Sequence, residues 1–356
     1  MTAVDSPWRR APGVGGRITA CVLLGLALSA GGCSDETAPT GVTGDLEEGS
    51  IYRLEGSANW RSESVSWTNE SFTTGRIPES EIGLVAVAQT QNAGNTHFFF
   101  TAPVNLSCND SECFPGRSPG WVESNFFIED LDWSPRGAQI VFQGRTRGSN
   151  SVNLYLLSVS GGEKDHVRNG RMPSFSRDGG RVVFVTEGKT GVGYFNSSGS
   201  GGAEWLDGYS GIEYPRLSPG DSLLAFSAQD GERGRRLFVW DTRQADFFPD
   251  AVTDPDGTQS LPSQDGTGDN FPTWSPNGRY IAYKTTLRDG VVKDAIYLTI
   301  PSMEPERNFE LVDFEPGRVL TYLRWHPDGR RLLYIIDGDV FMYIVPQRYR
   351  DNDVTP

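Results

Sequence analysis

Histidine is nearly missing from this chain, with three in 356 residues. His97, His166 and His326 stand far apart, and His326 fills a serine slot in a repeated motif. A histidine-based nucleophile–base set therefore has little to work with. No G-x-S-x-G elbow exists, since Gly208-Tyr209-Ser210-Gly211 has the wrong spacing. Cysteine is also sparse, at four. Long apolar runs are absent: Ile18–Leu28 is the longest near the start, and it is too short to span a bilayer as a stable anchor. Positive charge is in deficit, with 32 Lys and Arg against 46 Asp and Glu. An acidic surface repels phosphate backbones, which argues against nucleic acid and against docking on anionic lipid by charge.

What the chain does have is one hairpin written five times. Phe271–Tyr283 reads FPTWSPNGRYIAY. Proline presets the first turn dihedral, Asn-Gly tolerates left-handed positions, and the return strand is β-branched and aromatic. The other copies are Leu131–Phe142, Pro173–Phe184, Pro215–Phe226 and Leu323–Tyr334. Their aligned bulky anchors are Trp133, Phe175, Leu217, Trp274 and Trp325, spaced by 42, 42, 57 and 51 residues. A period just above forty, with several short strands per unit, predicts β-propeller blades. One blade cannot bury its two apolar faces alone, so neighbours must cover them. Pro173, Pro215 and Pro272 lie two residues before an anchor. Proline cannot donate to a ladder and belongs on the free edge of the innermost strand.

The pattern P-x-W-S-P-D-G-x-x-I-A-F resembles the repeat of TolB-type propellers, over about Leu131 to Val345. The resemblance implies a non-catalytic, periplasmic protein-binding role. The additional N-terminal α/β domain of that family has no counterpart in the sequence pattern.

Residues 1–32 read as a targeting segment: Arg9, Arg10 and Arg17, then the apolar run, then Ser29-Ala30-Gly31-Gly32 before Cys33. The arrangement resembles a bacterial lipoprotein signal, which implies lipidation of Cys33. Ser34 after it implies outer-membrane sorting facing the periplasm. Removing residues 1–32 takes three arginines and one aspartate and leaves the rest two units more acidic. Residues 33–49 are polar and read as a flexible tether. Cys21 falls in the discarded segment, so Cys108 and Cys113 remain as an expected disulfide.

The sequence thus predicts an all-β, six-bladed propeller over residues 50–347, with a disordered tail over 348–356. Ser64–Ser71, Ile82–Thr90, Thr96–Pro103 and Trp121–Ile128 supply a blade without the motif, and Ile51–Gly56 closes the last blade. The acidic insert Asp254–Asn270 offers Asp254, Asp256, Asp265, Asp269 and Asn270 as oxygens for a weak calcium site, but lacks a complete calcium-loop spacing. No cofactor is otherwise expected.

Three and four residues before the anchors come Glu129-Asp130, Arg171-Met172, Glu213-Tyr214, Asn270-Phe271 and Thr321-Tyr322. If all five repeats begin at one end, Met172, Tyr214, Phe271 and Tyr322 form an apolar collar, with Glu129, Asp130, Arg171, Glu213 and Asn270 adding polar groups. Such a mix suits a protein, peptide or cell-wall partner of a monomeric envelope protein. The competing reading is that these residues pack between blades. A second functional class is a glycan-active or other hydrolase using mouth carboxylates. Arg76-Ile77-Pro78 and Ser176-x-Asp178-x-Gly180 give only weak support to a sialidase.

Overall fold

The computed structural model describes residues 48–55, 60–68, 81–91, 96–105, 118–124, 126–158, 164–231, 234–243, 268–287, 293–301 and 308–350. The first strand is β1 (Ile51–Glu55). Next come β2 (Trp60–Thr68), β3 (Glu81–Gln91), β4 (Thr96–Asn105) and β5 (Ser118–Ser124), paired in that order as one sheet. A second sheet holds β6 (Phe126–Trp133), β7 (Gln139–Thr146), β8 (Asn153–Ser158) and β9 (Lys164–Asn169). The third holds β10 (Arg171–Phe175), β11 (Arg181–Val185), β12 (Val192–Asn196) and β13 (Ala203–Leu206). Then follow β14 (Ser210–Leu217), β15 (Leu223–Gln229) and β16 (Arg235–Asp241), a sheet of three. The next four are β17 (Asn270–Trp274), β18 (Ile281–Leu287), β19 (Lys293–Thr299) and β20 (Asn308–Asp313). Finally β21 (Leu320–Trp325), β22 (Arg331–Ile336) and β23 (Asp339–Ile344) pair in turn, and β1 joins β23 as the fourth strand.

The expectation of a six-bladed propeller is corrected by this topology. Five sheets are full four-stranded blades, and β14–β16 has three strands among the described residues, short of a sixth. The spacing of 42 to 57 residues counts hairpins and is blind to whether an outer strand follows each of them. Two smaller corrections concern boundaries. Trp121–Ile128 is not one strand, because β5 ends at Ser124 and β6 starts at Phe126. The tail does not begin at Arg348, since Gln347–Tyr349 forms a short 3-10 turn whose Tyr349 ring meets Phe309 at 5.4 Å.

The hairpin motif explains its own turn five times. Gly137, Gly179, Asp221, Gly278 and Gly329 each donate their N–H to the carbonyl four positions into the motif's start, at Ser134, Ser176, Ser218, Ser275 and His326 (2.8 to 3.0 Å). The first and last residues of each loop are then tied again, as in Ser275 N–H to the Tyr280 carbonyl at 2.8 Å. All five turn residues have positive φ or take the left-handed slot, with Asp221 at 57° where the others are glycine at about 70°. The serine hydroxyl accepts a second bond from the return strand, as from Tyr280 N–H at 2.9 Å and Arg181 N–H at 2.9 Å. His326 cannot do this, and its Nδ1 accepts instead from Asp328 N–H at 3.1 Å.

The inner strands of the sheets touch in a circle, β2 to β6, β10, β14, β17, β21 and back to β2. The proline-bearing strands β10, β14 and β17 are innermost, with a free ladder edge toward the axis, as proline requires. The anchors Trp133, Phe175, Leu217, Trp274 and Trp325 are all buried between sheets. Burial of such rings against the neighbouring sheet, about 25 cal/mol per Å² of apolar surface, is the main force holding blade to blade.

Candidate functional site

Strand alternation turns two rows of residues toward the axis, one and three positions before each anchor. The nearer row is Ser66, Asp132, Ser174, Arg216, Thr273 and Arg324, all buried. Three of its members, Ser66, Asp132 and Thr273, accept a backbone N–H from the next blade round. Trp133 N–H donates to Ser66 Oγ at 3.1 Å, Phe175 N–H to Asp132 Oδ2 at 2.8 Å, and Trp325 N–H to Thr273 Oγ1 at 3.0 Å. Asp132 also accepts from the hydroxyls of Ser66 (2.7 Å) and Ser174 (3.0 Å) and pairs with Arg324 at 3.3 Å. One carboxylate thus links blades that begin at β2, β6, β10 and β21. This belt was not anticipated from the sequence. Its signal was present: a polar residue precedes every anchor, in LDW, PSF, PRL, PTW and LRW.

The farther row contains five of the collar candidates. Met172, Tyr214 and Phe271 have φ of 51°, 51° and 53°, at matched positions in three successive sheets. The ladder register shifts at each of those places. A left-handed bulky residue costs roughly 1–3 kcal/mol, and such strain concentrates where a fold re-aims side chains for use. The rings converge: Tyr214 to Phe271 is 4.4 Å, Phe271 to Tyr322 is 6.1 Å and Tyr214 to Tyr322 is 6.4 Å. Tyr214 N–H points to the Met172 sulfur at 3.4 Å. Tyr322 spans the axis, its hydroxyl donating to Asp130 Oδ1 at 2.9 Å and toward the Leu131 carbonyl at 3.2 Å.

The collar is therefore largely interior. Tyr322 is 2% exposed, Asp130 3%, Asn270 7% and Phe271 9%. Glu129, Arg171, Met172, Glu213 and Tyr214 are half-buried and give the mouth its accessible surface. Glu129 accepts from Gln143 Nε2 at 2.5 Å and Arg145 Nε at 2.7 Å. Gln143 passes the chain on, accepting Met172 N–H at 2.8 Å. Glu213 is the hub of a second set, with Lys189 Nζ at 2.5 Å, Asn270 Nδ2 at 3.0 Å and Arg235 Nη1 at 3.4 Å. Glu213 is thus bonded across blades, and Glu129 reaches the next blade only through Gln143.

Beneath the collar two guanidinium groups face each other's field. Arg324 has its Cζ 5.4 Å from the Tyr322 ring, and Arg216 has its Cζ 5.9 Å from that of Tyr214. Burial would lower Arg324, but Asp132 first, then Tyr322 and Asp130, hold it above its ordinary value. Arg216 is lowered, by burial and then by the like charge of Arg324. Burial pushes the Asp130 carboxyl up to about 6, opposed by Arg216, Arg324 and the Tyr322 hydroxyl. Burial likewise raises the Tyr214 hydroxyl.

Cys33, Cys108, Cys113 and most of Asp254–Asn270 lie outside the described residues. Among the described residues no group of three or more His, Cys, Asp or Glu is placed to hold a metal.

No family model matches the sequence. No curated protein matches it either. Solved structures do. The chain is 16% identical to TolB from Acinetobacter baumannii, with a TM-score of 0.53, covering 76% of this chain and 66% of that one. It is 15% identical to a putative TolB from Agrobacterium tumefaciens, with a TM-score of 0.51, covering 83% of this chain and 96% of that one. The chain spans just under two thirds of the length of the Acinetobacter protein and nearly all of the Agrobacterium one. The fold is a TolB-like β-propeller.

Proposed function

We propose that this TolB-like propeller is a non-catalytic binding module of the bacterial cell envelope that captures a protein or peptide at one end of its axis. The observation that carries the reading is the collar: three successive inner strands spend a left-handed residue to bring Met172, Tyr214 and Phe271 to one place. Half-buried Tyr214 and Met172, rimmed by Glu129, Arg171 and Glu213, present apolar area beside oriented charge. That combination suits a peptide segment better than a flat apolar partner.

The attachment fits the same role. In this reading the chain is exported, lipidated at Cys33 and held by its acyl chains to the outer membrane on the periplasmic side, with a Cys108–Cys113 disulfide suited to an oxidising compartment. The propeller acts as a monomer, and the Asp254–Asn270 loop is a weak calcium site at most.

The test is photo-crosslinking in the native envelope, with the reactive residue placed at Tyr214 or Arg171. A discrete adduct is expected from both, and none from Asn277 in a hairpin turn. Identical adducts from all three positions, or none from any, would end the reading. Tyr214→Ala should reduce adduct formation at Arg171 while leaving the melting temperature within a few degrees.

A further inference from the structure

We propose that the axis of the propeller contains a carboxylate-binding site built on Arg216, completed by Arg324 and Asp130. The site lies beneath the collar, shares Asp130 with it, and does not require that the collar bind a protein. Three buried side chains set it up. Arg216 is 5% exposed, and its guanidinium makes one hydrogen bond to a described residue, from Nη1 to the carbonyl of Pro215 at 2.9 Å, while its Nε has no acceptor among the described residues. Arg324 is 6% exposed, and its Nε and Nη2 have no hydrogen-bond acceptor among the described residues, though Nη2 sits 3.3 Å from Asp132. Asp130 is 3% exposed, and while Oδ1 receives Tyr322, Oδ2 has no donor among the described residues.

Leaving a buried N–H of a charged group unsatisfied costs more than a neutral one, several times the roughly 1 kcal/mol of an ordinary hydrogen bond. The two cations also differ in compensation. Arg324 has Asp132 within 3.3 Å; Arg216 has no carboxylate within ion-pair distance among the described residues, feels Asp130 and Asp132 only at longer range, and is under the field of Arg324. What this locus lacks is an acceptor with negative charge near Arg216 that tolerates a donor from Asp130. A planar carboxylate has two acceptor oxygens matched to a guanidinium fork. A protonated Asp130 supplies the remaining donor through Oδ2.

Charge balance favours that state. With Asp130 neutral, the axial set Arg216, Arg324 and Asp132 carries one net positive charge, which one bound carboxylate cancels. With Asp130 ionised the set is already neutral, and the two anions repel. Uptake of the carboxylate is therefore coupled to uptake of a proton. The groups facing Asp130 are Asp132 on its own strand, Tyr214 and Arg216 on β14, and Tyr322 and Arg324 on β21. The tyrosines titrate far above this range, and the arginines keep their charge, so Asp130 is the group that moves. The half-buried Tyr214 ring lies over Arg216, with its centroid 5.9 Å from the Arg216 Cζ.

The carboxylate can belong to a free small acid or to the C-terminus of a peptide. Calorimetry of the full chain with acetate, triglycine and triglycine amide, each in two buffers of different ionisation enthalpy, separates these sources. Expected are binding of acetate or triglycine at pH 5.5 with uptake of about a quarter of a proton, uptake rising toward about one proton at pH 8, and roughly fiftyfold weaker binding at pH 8 than at pH 6. Triglycine exceeding both acetate and the amide assigns a peptide terminus; acetate alone assigns a free acid. Arg216→Leu should weaken binding at least about tenfold, and Arg216→Lys should recover part of it. Asp130→Asn should keep binding but abolish the proton uptake. No carboxylate binding at about 50 mM and pH 5.5, or binding undiminished in Arg216→Leu, would overturn the site. Should Arg216→Leu fail to fold, an unchanged proton uptake in Asp130→Asn overturns it equally.

Discussion

Ser66, Asp132, Ser174 and Thr273 stand one position before their anchors, and each is spent on the neighbouring blade. Asp130, Met172, Tyr214, Phe271 and Tyr322 stand three positions before the anchors, and they meet one another instead. Both rows belong to the same strands and face the same axis. The near row makes a repeated local contact, so each blade needs only a polar side chain of the right reach. The far row joins neighbouring blades through Met172, Tyr214 and Phe271 and skips a blade at Tyr322, which reaches Tyr214 and Asp130, so its members differ and are not interchangeable. The row that repeats serves assembly, and in the proposed function the row that does not serves recognition.

If the near row holds the ring, its most connected member should be the most costly to lose. Asp132→Ala removes the acceptor for Phe175 N–H, both serine hydroxyls and the charge opposite Arg324. An uncompensated buried guanidinium should destabilise by about 3–5 kcal/mol, read by urea denaturation. A loss below about 1 kcal/mol would mean that the belt is incidental to stability.

The far row should instead show itself through pH. Asp130 has a folded pKa of about 6, above the ordinary carboxylate value, so the folded state holds its proton longer than the unfolded chain. Its stabilising share is complete below about pH 4 and is lost as pH rises toward and through about 6. Wild type should lose up to about 3 kcal/mol relative to Asp130→Asn across that window and run parallel to it above. Parallel curves throughout would remove the titrating carboxylate from the axis. A smaller effect belongs to Thr273→Val, which strands the buried Trp325 N–H and should cost about 1–3 kcal/mol with no pH dependence.

The two rows were not equally legible in the sequence. Turns, anchors and edge prolines are local, and S-P-N-G with its Trp two residues after a proline announces them. Closure by Ile51 could be reasoned from the three strands left at the end of the chain, and β1 does pair with β23. The belt was readable but unread, because a polar residue between two apolar ones in a strand looks like a solvent face. In a ring the second face is another buried surface. The depth of the collar was not readable at all: Tyr322 and Asp130 are 192 residues apart, and nothing local says that one hydroxyl crosses the axis to the other carboxylate. The shortfall from six complete blades has a similar origin. Hairpins count themselves in the sequence, but an outer strand is set by pairing, and residues 244–267 after β16 lie outside the described residues.

The finest test of the distinction is Tyr322→Phe, which keeps the ring and deletes only the cross-axis donor. Phe271 and Tyr214 should still pack against it, so the stability cost at pH 4.5 should be about 1 kcal/mol, the worth of one buried hydrogen bond. The Tyr322 bond lowers the Asp130 pKa, because it favours the ionised form. Without it the carboxyl should titrate at higher pH than in wild type, followed by carbon-detected NMR of the aspartate side chain. The stability loss on raising pH should then extend past the wild-type window, in the same direction. A titration that moves down, or does not move, would show that Tyr322 fills space at the axis without governing its charge, and the far row would then serve assembly as the near one does.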